Sequence, residues 1–236
     1  VKTLPWRSAA RLRHTGRALL LLGALSVMSA AAQDAQPVCG SLENHYGPYD
    51  YRTERSARLR IVERFHFTPV VEALIRGSTG SVGDDLNYTL MTSPNHHRAL
   101  IAMTRLAERA KSQQAPNMAY SVNCFFDRAV RFQPDDTVVR ELYAQYLGKI
   151  GRTKEAIRQL EVAEGFVKEN ALSHYNIGLI YFELKEYERA LAQAHIASRQ
   201  GYTRAELSEK LKSVGKWQEP STASADAPTP AASAMP

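Results

Sequence analysis

The segments Gly151-Arg152-Thr153-Lys154-Glu155-Ala156-Ile157 and Lys185-Glu186-Tyr187-Glu188-Arg189-Ala190-Leu191 place Ala156 and Ala190 34 residues apart. The correspondence continues outward: Ala163 and Ala197 each follow by seven residues, and Gly178 and Tyr181 precede Ala190 by twelve and nine. One step upstream, the same frame sets Phe126, Ala129 and Pro134 as an aromatic, a small and a terminating residue. Small residues at helical spacing let two helices approach closely, and Leu147, Leu160, Ile177 and Tyr181 fill the seam between them. One helical pair cannot bury its apolar face alone, so such pairs stack on a shared core. The pattern predicts helices over 95–111, 118–132, 136–149, 153–167, 171–183 and 187–199. A last amphipathic segment, Thr203 to Val214, carries Ala205, Leu207, Leu211 and Val214 at helical spacing and is expected to cap the open end of the stack.

On these residues the chain from about 95 to 217 resembles the tetratricopeptide repeat family. The resemblance implies a mainly α fold, an alpha-alpha superhelix of about three helical hairpins with a C-terminal cap helix. It departs from the family pattern at Arg140 and His174, which stand in a slot usually held by a bulky aromatic, at Ala144 in place of Gly, and in a longer loop around Ser112 to Asn117. In the family the first helix of each pair lines a concave surface that takes extended peptides or helices. With Ile177, Gly178 and Tyr181 committed to the seam, that geometry makes Leu172, Tyr175, Leu179 and Phe182 the concave face. Their counterparts are Val138, Glu141, Gln145 and Gly148. The resemblance thus implies a groove polar at Glu141 and Gln145 and aromatic at Tyr175 and Phe182, unless the cap or the N-terminal segment fills it.

Residues 1–32 form a different region. Lys2, Arg7, Arg11, Arg13 and Arg17 precede an apolar run from Ala18 to Val27, and Ser29-Ala30-Ala31-Ala32 supplies small residues, the tripartite pattern of a secretory signal peptide cut before Gln33. The run of about ten residues is far short of the ~20 that span a bilayer, so no membrane span is expected in the mature chain. Val1 is read as a non-AUG start in a bacterial frame. The expected location is periplasmic or secreted, at the cell surface or beyond it. The charge agrees: of 30 Lys and Arg against 24 Asp and Glu, these five precede the first acidic residue, Asp34. The remainder of the chain is nearly neutral and gives no footing for nucleic acid. Cys39 and Cys124 remain as an even pair in an oxidising compartment, which favours a disulfide over two buried thiols or a metal site. Cys39-Gly40 lacks the aliphatic lead-in of a lipidation site. In the repeat frame Cys124 lies about 200° around its helix from Phe126, pointing away from the seam.

Residues 33–94 read as a small α+β extension with short strands and one helix. Leu59, Ile61, Glu63, Phe65 and Phe67 approximate a two-residue alternation, and Leu86, Tyr88 and Leu90 repeat it against Asn87 and Thr89. Between them Thr68-Pro69 reads as an N-cap and first-turn proline opening a short helix that stops at Gly77. The stretch His45 to Tyr51 is rich in tyrosine, either a contact surface or anchors onto the repeats. Residues 218–236, mostly Pro, Ala, Ser and Thr, read as a disordered tail.

Catalytic signatures are missing. Gly77 to Gly83 has glycines but no Gly-Lys-Ser/Thr ending and no following helix signal, and no Gly-x-Ser-x-Gly turn occurs. Neighbouring His96 and His97 point ~100° apart on a helix, so one packs and one is solvated rather than chelating. Asp84-Asp85 and Asp135-Asp136 fit helix starts. Asn87-Tyr88-Thr89 is a chance glycosylation match. The expected function is therefore a non-catalytic protein-protein scaffold without metal or cofactor. The alternative is a self-assembling subunit of a surface filament, joined to copies of itself through the tyrosine-rich and strand segment.

Overall fold

The computed structural model describes residues 38–54 and 57–220; the signal segment and residues 221–236 of the tail lie outside them. The described residues hold ten helices and no strand: Ala57–His66 (α1), Pro69–Glu72 (α2), Val82–Thr92 (α3), His97–Arg109 (α4), Val122–Phe132 (α5), Thr137–Lys149 (α6), Thr153–Phe166 (α7), Ala171–Glu183 (α8), Tyr187–Arg199 (α9) and Glu206–Ser213 (α10). From α4 onward every expected helix is present, with ends shifted by four residues at most. The starts of α6 and α8, and of α7 and α9, are 34 residues apart, and α6 packs on α7 as α8 packs on α9.

The residues assigned to the seam are buried. Ala156, Ala163, Ala190 and Ala197 have almost no exposure, and neither do Leu147, Leu160, Ile177 and Tyr181. Gly178 is needed for a close approach: a Cβ there would stand 2.5 Å from Leu207 Cδ2 and 3.2 Å from Gln193 Cβ. The two departures at the aromatic slot also obey the repeat. Arg140 donates to Gln159 Oε1 at 2.8 Å and to the Pro134 carbonyl at 2.8 Å. Thirty-four residues on, His174 meets Gln193 Oε1 at 2.7 Å and the Lys168 carbonyl at 3.4 Å. A buried polar side chain replaces an aromatic without loss because the paired helix offers a glutamine at the same offset each time.

The two strands expected between residues 59 and 90 are helices. Leu59 and Val62 are the buried face of α1, while Ile61 and Phe65 stay exposed. In α3, Leu86 and Leu90 are buried four residues apart, with Tyr88 on the opposite side. A spacing of two followed by two contains a spacing of four, which is a helical neighbour pair. Ser81 begins α3 with a capping box, its hydroxyl accepting from the Asp84 amide and the Asp84 carboxylate from the Ser81 amide. The expected α2 is shorter than read, and Thr68 sends its hydroxyl to Ser78 instead of capping it. A helix does follow the Gly77 to Gly83 loop, with Asp84 and Asp85 in its first turn, where they oppose an anion.

Helices α3 and α4 anticipate α5 and α6 at an offset of 40 residues. Val82–Thr92 matches Val122–Phe132, and His97–Arg109 matches Thr137–Lys149. Ser81 and Ser121 cap the first helix of each pair, and His96 and Asp136 cap the second with backbone angles within about 5°.

Residues 38–54 run as a strap across these helices. Gly47, at φ +108°, packs where a Cβ would stand 2.4 Å from the Thr92 carbonyl oxygen, and the Tyr49 amide donates to that oxygen at 2.9 Å. Asn95 joins the strap to the helix starts, donating to Asp50 at 2.7 Å and to Asp136 at 2.9 Å and accepting from the Tyr51 amide. Asp136 is fully buried; it also accepts from the Val139 amide and pairs with His97 at 2.9 Å. His97 is therefore held rather than solvated, while His96 packs under Tyr51 with ring centroids 4.1 Å apart. At the other end of the strap Cys39 is bonded to Cys124, 85 residues away. Cys124 points outward as expected. The wholly buried Arg128 donates to the carbonyls of Cys39 at 3.1 Å and Ser41 at 2.5 Å beneath that bond.

Both ends of the strap bear on stability. Replacing both cysteines with serine is expected to lower unfolding free energy by roughly 4 to 5 kcal/mol, the loop-closure entropy of a crosslink of this span, measured by urea titration of the oxidised protein and the variant. Burial opposes the charge of Asp136, yet His97, Asn95 and the Val139 amide hold its pKa below the ordinary value. Its stabilisation is therefore complete above the unfolded-state pKa and lost as pH falls through the lower folded one. Asp136→Ala is expected to cost about 3 kcal/mol at neutral pH and to flatten the acid limb of the stability profile.

Candidate functional site

Helix α6 touches α4 on one side and α8 on the other, which leaves two neighbouring clefts between exposed turns of three helices. The larger, about 440 Å³, has a floor of Ala144, Gly148, Ile180 and Leu184, with Leu179 at its edge and Gln145, Lys149 and Glu183 on its rim. The smaller, about 200 Å³, lies between Ile101, Thr104 and Arg105 of α4 and Leu142, Gln145 and Lys149 of α6. Gln145 and Lys149 border both clefts, so the two form one groove with an apolar half and a polar half. Lys149 is tied across the polar half to Glu108 at 2.7 Å. Phe126 backs the smaller cleft, stacked on Tyr143 with centroids 5.0 Å apart and an interplanar angle of 8°.

The structure divides the six residues expected to bind a partner. Gln145 is exposed on the ridge, Leu179 lines the apolar half, and Leu172 is half exposed two turns before it. Tyr175 is not available: only 3% exposed, it rests on Tyr202 with centroids 4.7 Å apart and donates to Glu206 at 3.3 Å. Phe182 is partly covered as well, against Tyr187 and under the Lys210 ammonium at 5.4 Å. The face bearing Tyr175, Gly178 and Phe182 is thus the seat of residues 202–211, so the aromatic end of the expected groove is filled by the chain's own cap. Gly178 explains why, since its missing Cβ admits Leu207.

Glu141 differs from the others. Only 5% exposed, it accepts from Asn176 at 3.4 Å through one oxygen, and its Oε1 has no partner. Burial pushes its pKa up to about 7, against weaker opposition from Asn176 and Ser173. It belongs to the packing between α6 and α8, beside the groove rather than on its surface.

The chain matches no protein-family model, no curated protein and no solved structure. Its function is therefore read from its own surface. Among the described residues no group of three or more His, Cys, Asp or Glu side chains is placed to share a metal ion, and no helix is long and apolar enough to cross a membrane. The groove brings together no nucleophile with a base; its chemistry is apolar contact bordered by charge, which suits binding.

Sequence reasoning missed Arg105, Lys149, Ile180 and Leu184. The 40-residue offset was the available signal for the first, because it makes Arg105 the counterpart of Gln145, as the 34-residue offset makes Leu179. Glu141 yields a measurable consequence. A raised carboxyl pKa favours the protonated fold, so its stabilisation is complete below about pH 4.5 and is lost as pH rises toward 7. Glu141→Gln is expected to gain about 2 kcal/mol at pH 8 and nothing at pH 4, read by chemical unfolding at the two pH values.

Proposed function

We propose that this chain is an exported, non-catalytic scaffold of the tetratricopeptide kind, a right-handed stack of helical hairpins that holds a segment of another protein along α4, α6 and α8. The observation that carries the reading is the continuous groove across those three helices, with Gln145 and Lys149 common to both halves. The 34-residue recurrence of helix starts and of the Arg140–Gln159 and His174–Gln193 pairs supports the repeat assignment. Export is supported by the signal-like segment and by a disulfide between the two cysteines, which an oxidising compartment preserves.

The expected partner is an extended or helical segment with one apolar side chain for the floor near Leu179 and polar groups along Arg105 and Gln145. The filament alternative draws no support from the described residues, where the N-terminal segment offers no strand edge and Tyr49 and Tyr51 dock on their own chain.

A photo-crosslinker at Gln145, in protein expressed to its native compartment, tests the proposal. Adducts are expected from Gln145 and not from Val162, an exposed residue of α7 outside the groove. Leu179→Glu should reduce them about thirtyfold, the equivalent of one apolar anchor worth about 2 kcal/mol, while the melting temperature stays close to that of the parent. Equal adducts at both positions, or adducts insensitive to Leu179→Glu, would overturn it.

A further inference from the structure

A second cavity, about 360 Å³, shares no lining residue with the groove. Ile61, Phe65 and His66 of α1 form one wall, Tyr88 of α3 another, and Tyr46 of the strap and Thr79 complete it. Ile61 is 49% exposed, Phe65 50% and Tyr88 41%, so three large apolar side chains stand open to water around one imidazole.

That imidazole is held with unusual firmness. Asp85, which has no exposure, anchors it from beneath: its Oδ1 lies 3.0 Å from His66 Nδ1 and 2.5 Å from the Thr79 hydroxyl, and its Oδ2 accepts from the amides of Ser78 at 2.6 Å and Thr79 at 3.2 Å. Burial works against the charge of Asp85, but these donors hold its pKa below the ordinary carboxylate value, so it accepts. The Thr79 hydroxyl gives its proton to Asp85, and its oxygen is 3.1 Å from His66 Nδ1. Only an N–H at Nδ1 satisfies both neighbours, which leaves Nε2 with its lone pair. Stacking on Tyr88, with centroids 4.0 Å apart and planes 26° apart, prevents the ring from turning. Three other donors already satisfy Asp85, so the carboxylate does not need the histidine; the histidine's orientation needs the carboxylate.

We propose that this cavity binds a planar aromatic molecule carrying one polar hydrogen, of the phenol or indole class. The ligand ring packs on Phe65, Ile61 and Tyr88, and its O–H or N–H donates to Nε2 of His66. An apolar slot with a single fixed acceptor selects that combination: an aromatic without a donor leaves Nε2 desolvated and unpaired, and a polar molecule without a ring leaves the apolar wall wet. The inference is independent of the groove and of any partner there.

The test uses the full mature chain, indole as the probe and 1-methylindole as its donor-free control. Side-chain nitrogen resonances of the histidines are followed by long-range proton–nitrogen correlation during titration. Indole is expected to shift the His66 Nε2 resonance saturably and to bind about tenfold more tightly than 1-methylindole, the worth of one hydrogen bond to a desolvated acceptor. In His66→Leu the two should bind alike, and Phe65→Ser should weaken both. If His66→Leu fails to fold, the comparison of the two ligands on the parent chain decides alone. No saturable shift at His66 up to the solubility of indole, or equal affinity for the two ligands, would overturn the proposal.

Discussion

One buried carboxylate, that of Asp136, sets the beginnings of α4 and α6 beside each other. It caps α6 through the Val139 amide, takes a proton donor from His97 in the first turn of α4, and shares Asn95 with Asp50 of the strap. The walls of the polar half of the groove are those two helices, so their separation is fixed at one end by this side chain and at the other by the Lys149–Glu108 ion pair. The two ties are unequal. Exposed pairs of the second kind contribute at most about 1 kcal/mol, whereas a hydrogen-bonded buried charge is far costlier to disrupt. The groove is rigid where Asp136 closes it and adjustable where Lys149 does.

How much of this the sequence disclosed depends on the kind of residue that carries the information. From residue 95 on, the helices were legible because alanines and a glycine recur at positions where any larger side chain would hold the paired helices apart. Between 57 and 92 the same physics operates with Leu59, Val62, Leu86 and Leu90, but over stretches too short to tell a period of two from a spacing of four. The discriminating signal was local: Ser81 three residues before Asp84 is a capping box, and helix starts are better written in caps than in apolar pattern over one or two turns. The 40-residue recurrence of Ser-Val and Pro, at Ser81-Val82 and Pro94 against Ser121-Val122 and Pro134, was equally visible but falls outside a 34-residue frame.

The candidate site was half legible for a related reason. Periodicity gives the face of a helix on which a residue stands, and it placed Gln145 and Leu179 correctly on the surface of the groove. It does not say what else comes to rest on that face. Gly178 serves two neighbours at once, α9 through Gln193 and α10 through Leu207, and the second contact hides Tyr175 and crowds Phe182. The seat of a non-repeating element is written in its own sequence and in the gap left for it. A frame built from repeats sees neither.

The strap carries a consequence for the order in which the chain becomes a protein. Synthesis delivers residues 38–54 before any of their partners: Thr92 and Asn95 come some 45 residues later, Cys124 and Arg128 about 85 to 90. The first part of the mature chain to emerge is thus among the last to find its place, since loops of that length close only when both ends exist. Until then Arg128 keeps its water and Cys39 travels as a free thiol. The event that dries the guanidinium and brings the two sulfurs together is the same one, so oxidation at Cys39 marks the moment at which the front of the molecule has met its middle.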